Sequence, residues 1–285
     1  MAEPKHLCKL AAIINMKGGV GKTTLSVNLA IELARKGRKV LLLDLDPQAN
    51  ATQVCMGSDR LKKHHADGKK SITDLFIQVF EPRVPVASRK VSEVKLSDFT
   101  HSVNVNGAKA SGCLDFIPAD LYLSSVLRGI SIGPYSLESL LSEDVKLGYD
   151  YILVDCAPTY SSLTTIALNS CRAVLIPMIP DSFGKHGTDL MKNILDEHEH
   201  DYGVKVSVIG VVFTMTKEGA TQRETEREII VKWTSDRVFK QKISRNEWYK
   251  IANGEGRPLR ESKAHLDVKD ELDAFVVDFE RRVLA

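Results

Sequence analysis

Residues 10–36 read LAAIINMKGGVGKTTLSVNLAIELARK, and the order of textures in that stretch decides the fold. A short apolar run, 10–15, leads into a glycine-rich turn. The turn opens a segment in which Leu25, Leu29 and Leu33 recur every four residues. Side chains at that spacing line one face of a helix, and Gly37 supplies a natural C-terminal stop. The stretch therefore predicts strand, turn and helix, with the helix running from Thr23 to Lys36.

Working outward, the same alternation repeats. KVLLLD (39–44), LDFIP (114–118), DYILVD (150–155), AVLIPM (173–178) and VSVIGVVFT (206–214) are continuous apolar runs separated by helical stretches. Strands with no polar alternation are buried on both faces, which predicts an α/β fold with a mostly parallel twisted sheet and helices on both faces. The 285 residues read as a single domain, 1–285. Its elaborated surface region, at about 56–111, carries Lys62, Lys63, His64, His65, Lys69 and Lys70 and one short helix near Ile72 to Phe80.

Composition excludes several classes. With 39 basic and 37 acidic residues the net charge is +2, so no global field draws the chain to nucleic acid or membrane, and such binding needs a local patch. The five cysteines form no C-x-x-C pair, against a disulfide framework or structural zinc. No apolar run approaches the roughly 18 residues of a membrane span, and a cytoplasmic home is expected.

The chemistry concentrates in three places. In Lys17-Gly18-Gly19-Val20-Gly21-Lys22-Thr23-Thr24 the glycines let several backbone N–H groups face one anion at a helix N-terminus. Lys22 is placed to reach the β and γ phosphates of ATP, and the Thr23 hydroxyl to hold Mg²⁺. The second place is Leu41-Leu42-Leu43-Asp44-Leu45-Asp46-Pro47-Gln48-Ala49-Asn50-Ala51-Thr52, which ends a strand with two acids. In an open α/β sheet ligands sit at the carboxyl ends of strands, so both acids are expected beside the phosphate loop. The third is Tyr151-Ile152-Leu153-Val154-Asp155, whose closing acid is placed to hold Mg²⁺ through a water.

The loop has Met16 where the common phosphate loop has its first glycine, and Lys17 follows at once. It resembles the deviant Walker A motif of the ParA/MinD group of P-loop ATPases, and the D-P-Q-A-N-A-T stretch resembles the ParA/Soj partition ATPases. That resemblance, which runs through nearly the whole chain outside 56–111, implies that Lys17 contacts the nucleotide of a partner subunit. It implies that Asp46 orients the attacking water and that Asp44 supports the Mg²⁺ shell and Thr23. Lys17, Lys22 and Asp46 are then the catalytic residues.

The resemblance further implies an ATP-bound homodimer that hydrolyses slowly, a ParB-like adaptor or cargo protein, and non-specific DNA at the nucleoid. With no helix-turn-helix ahead of the loop, the chain resembles the short ParA type. Expected DNA contacts are Lys240, Lys242, Arg245 and Lys250. Here the chain departs from the family's P-R-N-x-R, reading Ser244-Arg245-Asn246-Glu247-Trp248. A MinD-like or carrier-type ATPase positioning a protein assembly without DNA is the alternative. Against it stand the acidic tail DVKDELDAFVVDFERRVL, unsuited to an anionic membrane, and the lack of a C-x-x-C pair.

Overall fold

The computed structural model describes residues 8–80, 95–125, 143–254, 259 and 266–284, leaving out the side chains of 79, 80, 143, 144, 250, 253, 254 and 284. Its strands are β1 Lys9–Ile13, β2 Lys39–Leu45, β3 His101–Val103, β4 Cys113–Ile117, β5 Tyr151–Cys156, β6 Ala173–Met178, β7 Ser207–Thr216 and β8 Ile243–Ser244. They form one eight-stranded sheet in the order β3-β4-β2-β5-β1-β6-β7-β8. Every pairing is parallel except β3 with β4. All six apolar runs of the sequence are strands. The two that escape it, β3 and β8, have three and two residues and lie at opposite edges, where no continuous apolar run is required.

Along β2 the faces alternate. Leu41, Leu43 and Leu45 belong to one buried cluster, Val40 and Leu42 to the other. The first cluster is closed by α3 (Ile72–Phe80), α5 (Ser162–Cys171), α6 (Ser182–Tyr202) and α7 (Ala220–Trp233), through residues such as Phe76, Ile166, Met191 and Ile229. The second is closed by α1 (Lys22–Arg35), the start of α2 (Asn50–Ala66) and α9 (Leu266–Leu284). The remaining helices are α4 (Glu143–Gly148) and α8 (Glu247–Gly254).

The acidic tail segment is α9, and Val268, Leu272, Phe275, Val276 and Phe279 are all buried by 97% or more. At roughly 1.5–3 kcal/mol for each such side chain, this face is committed to the fold. No helix among the described residues is long and apolar enough to cross a membrane.

The 56–111 stretch is less superficial than its composition suggests. α2 kinks at Gly57 (φ 65°, ψ 171°) and continues to Ala66, carrying Lys62, Lys63 and His65 outward while His64 is buried. Ile72, Leu75, Phe76 and Phe99 are nonetheless at most 1% exposed, and β3 extends the sheet.

Candidate functional site

β1, β2 and β5 lie side by side, with β5 in the middle, and their carboxyl ends carry the three sequence motifs. In register Asp44 sits directly opposite Asp155. The loop leaving β1 is pinned by Asn15, whose Nδ2 donates to the Pro177 carbonyl at 2.8 Å while its Oδ1 accepts from the Lys17 N–H at 2.9 Å. From the far side the Thr214 hydroxyl donates to the Val20 carbonyl at 2.8 Å. Gly19 (φ 74°) and Gly21 (φ 86°) take left-handed conformations that L side chains resist, so the turn requires glycine there.

α1 begins at Gly21 with no side-chain cap and no acid in its first turn. The first N–H groups of a helix lack intrahelical partners, and an uncapped start beside a glycine turn leaves them facing an anion. Lys22 is 7% exposed, with Nζ donating to the Lys17 carbonyl at 3.2 Å. Burial lowers its pKa, opposed by the nearby Asp155, Cys156 and Asp46.

The two facing acids differ in how their oxygens are engaged. Asp44 is fully buried, and both its oxygens already accept hydrogen bonds: Oδ1 from Asp46 N–H (3.0 Å), Oδ2 from Thr52 N–H (2.9 Å) and the Thr52 hydroxyl (2.8 Å). Asp44 ties the turn and the first turn of α2 to β2. Asp155 is the acid with an opening. Its Oδ1 accepts from the Ser26 hydroxyl at 2.8 Å, while its buried Oδ2 has no hydrogen-bond partner among the described residues. The Thr23 hydroxyl acts on the same carboxylate.

Burial raises the Asp44 pKa to about 7, with repulsion from Asp155 adding to it. Burial likewise raises Asp155 to about 6, against the bonds from Thr23 and Ser26. A dry carboxylate with one open oxygen beside a hydroxyl is the donor set that Mg²⁺ takes, so the residues fit the ion. Asp46 is 6% exposed and its Oδ1 accepts from Gln48 N–H at 2.9 Å, which fixes it near Lys22 and Asp155.

Beside Gly21 and Thr24 opens a cavity of about 530 Å³, walled by Asn28, Met215, Ile243, Arg245 and Tyr249. Its size and its contact with the loop suit a nucleoside. The Tyr249 hydroxyl is buried without a partner among the described residues, and burial raises its pKa. Arg245, expected among DNA contacts, is thus in the cavity wall. Lys242 pairs with Glu226, Lys240 is exposed, and the Lys250 side chain lies outside the described residues. Trp248 packs partly buried against the core. Lys240, Lys242 and Arg245 are all exposed, so three of the four expected cations face solvent.

Sequence reasoning missed Ser26, Asp181 and the cavity wall. Asp181 follows the carboxyl end of β6 and pairs with Lys17 Nζ at 2.8 Å. The rule that ligands sit at carboxyl ends could have found it; Ser26 offers no signal beyond its place one turn past Thr23.

Residues 8–206 match a family model described as an AAA domain. Over 277 residues the chain is 31% identical to the sporulation initiation inhibitor protein Soj of Bacillus subtilis, covering 93% of this chain and 98% of that protein. It is 29% identical over 255 residues to the chromosome partitioning protein ParA of Caulobacter vibrioides, covering 88% and 86%. An ATP complex of McdA from Cyanothece shares the fold with a TM-score of 0.75 at 20% identity, over 97% of this chain and 98% of that one. An early lysine in the phosphate loop, strand-end acids in order, and similarity to Soj over 93% of this chain agree: the chain belongs to the ParA/MinD group of P-loop ATPases and is of the ParA type.

Proposed function

We propose that residues 1–285 form one P-loop domain that binds ATP with Mg²⁺, joins a second copy when ATP is bound, and hydrolyses the nucleotide slowly. The observation that carries this reading is the buried, unpartnered Asp155 Oδ2, set at the end of β5 among Thr23, Ser26 and Lys22. Lys22 and the uncapped N–H groups of α1 neutralise the phosphates, and the Tyr249-lined cavity takes the base and ribose. Thr23 and Asp155 would hold Mg²⁺, which when bound would supply charge neutralisation at the phosphoryl group. Asp46 aligns the attacking water, and Asp44 keeps Asp46 in place through the backbone bond between them. Positioning carries the rate.

Lys17 acts on the nucleotide of the partner copy, so ATP joins the two subunits and hydrolysis releases them. The ATP dimer holds DNA non-specifically in the cytoplasm at the nucleoid, and a ParB-like adaptor speeds turnover. The names of Soj and ParA and the ATP bound to McdA support this. A second reading, a protein surface in place of DNA, draws on one observation: the Lys242 ammonium is already paired with Glu226.

Titration calorimetry on Lys22→Ala should show ATP affinity lowered by about 10²-fold or more, since removing one charged contact from a partly dry phosphate site costs about 3 kcal/mol. Affinity equal to that of the unaltered protein would end the P-loop assignment. The Asp46→Ala protein with ATP should sediment as a dimer and be retained on duplex DNA at about 50 mM salt, where phosphate contacts are strong. A dimer that ignores DNA selects the second reading.

A further inference from the structure

Lys17 is not left reaching into solvent. Its Nζ is 2.8 Å from Asp181 Oδ2, and the same ammonium stands over the Phe183 ring, 5.3 Å from the centroid. Both partners belong to its own subunit, at the end of β6. Asp181 has a second duty there. It is the N-cap of α6, and its Oδ1 accepts from the Gly184 N–H at 2.7 Å. Gly184 fits so closely that a Cβ would meet the Ile179 carbonyl oxygen at 2.4 Å, so the cap cannot drift. One carboxylate thus holds a 21-residue helix with one oxygen and Lys17 with the other.

We propose that Asp181 is a latch: it holds Lys17 within its own subunit, and ATP-driven self-association has to break that ion pair before Lys17 can serve the partner's nucleotide. This inference rests on the trans role given to Lys17 under the proposed function. The two members of the pair are 31% and 38% exposed, so solvent screens it and its breaking opposes association only modestly. An ion pair of that exposure is worth a factor of about two to five per subunit. Each dimer breaks two, so the latch weakens dimerisation by about four- to twenty-five-fold. Phe183, 69% exposed, is freed by the same movement.

Asp181→Asn separates the two duties, because asparagine caps a helix as well as aspartate but does not hold an ammonium by charge. The first measurement needs no nucleotide: the rate of acetylation of Lys17, read by peptide mass spectrometry. It should rise about two- to fivefold in Asp181→Asn with the melting temperature unchanged. The second is sedimentation with ATP and Mg²⁺, in which the Asp181→Asn dimer should dissociate at a fourfold or more lower concentration. In a Lys17→Ala background the asparagine should change nothing. Unchanged Lys17 labelling overturns the latch, as does a dimer constant that stays fixed or tightens equally without Lys17. If the unaltered protein itself fails to associate with ATP, the dimer reading falls on its own control and takes this inference with it.

Discussion

The carboxyl ends of β1, β2 and β5 and the flank built from residues 56–111 use burial in opposite ways. At the strand ends two carboxylates, Asp44 and Asp155, are fully buried next to each other, and Lys22 loses most of its contact with water. One non-glycine residue there, Ala49 (φ 53°), adopts left-handed backbone, as does Met215 (φ 51°) near the end of β7. In the flank Phe76, Phe99 and Leu75 are buried with no carboxylate facing another, the Lys70 ammonium rests over the Phe99 ring at 5.5 Å, and none of the described non-glycine residues has positive φ. One region is arranged for a ligand that carries charge of its own. The other is arranged for stability. Substitutions should therefore trade activity against stability at the first and affect stability alone at the second.

The largest effect belongs to the flank. Phe76→Ala should cost about 3–5 kcal/mol of unfolding free energy, because it empties a fully buried aromatic site. Calorimetric ATP affinity of the folded protein should stay put. A matching loss of affinity would mean that the two regions are not separable.

Asp155→Asn should show the opposite pattern. Turnover with Mg²⁺ and ATP should fall by about 10²-fold, while the nucleotide-free protein melts about 3 °C higher at pH 8. The sign follows from the raised pKa values of both acids. Between the ordinary 3.8 and the folded values of about 6 and 7, the folded state binds more protons than the unfolded chain, so this stabilisation is lost as pH rises through that window. Removing one member relieves the repulsion. Scanning calorimetry from pH 5 to pH 8 tests it, and a lower melting temperature at pH 8 would break the contrast.

The flank's histidines should slope the other way. Burial holds the pKa of His64 and His101 below the ordinary 6.5, with His65, Lys69 and Arg60 also opposing their charging and Asp67 and Asp115 favouring it. The unfolded chain then binds more protons just below pH 6.5, so stability is complete above that value and declines as pH falls through it. In His64→Gln the loss between pH 7 and pH 5.5 should shrink, an effect of about 1–2 °C on the melting temperature. An unaltered slope would place the acid sensitivity elsewhere.

The smallest expected effect is at Ala49. A left-handed alanine costs about 1–2 kcal/mol, and a glycine in its place loses about 0.5–1 kcal/mol through greater freedom when unfolded. Ala49→Gly should stabilise the protein by about 0.5 kcal/mol, measured by urea unfolding. Destabilisation would show that the strain at this turn is not local.

The sequence disclosed the parallel core of the sheet because strands buried on both faces are apolar without interruption, as in Val40–Leu43 and Tyr151–Val154. It disclosed the loop because glycine, lysine and threonine are each chemically constrained there. The two bonds from Thr52 to Asp44 escaped it, since a partner eight positions away is set only by how the turn folds back on the strand end. Arg245 is exposed, as its charge suggests, but its place beside the cavity, just past β8, shows only once the sheet is assembled. Asp181 needed the third dimension, lying 164 positions from Lys17.

The strand order also carries a consequence in time. β1 pairs only with β5 and β6, and Lys9 meets Tyr151 some 140 residues later in the chain. At a synthesis rate of about 5–20 residues per second, the strand ahead of the phosphate loop waits roughly 7–28 s for its first partner. Throughout that interval LAAIIN is an apolar edge on the nascent chain, and the three strand-end motifs cannot meet. Anything that shields this segment on the ribosome, or a slower stretch of translation past residue 155, should therefore govern the yield of native protein more than the stability of the finished fold does.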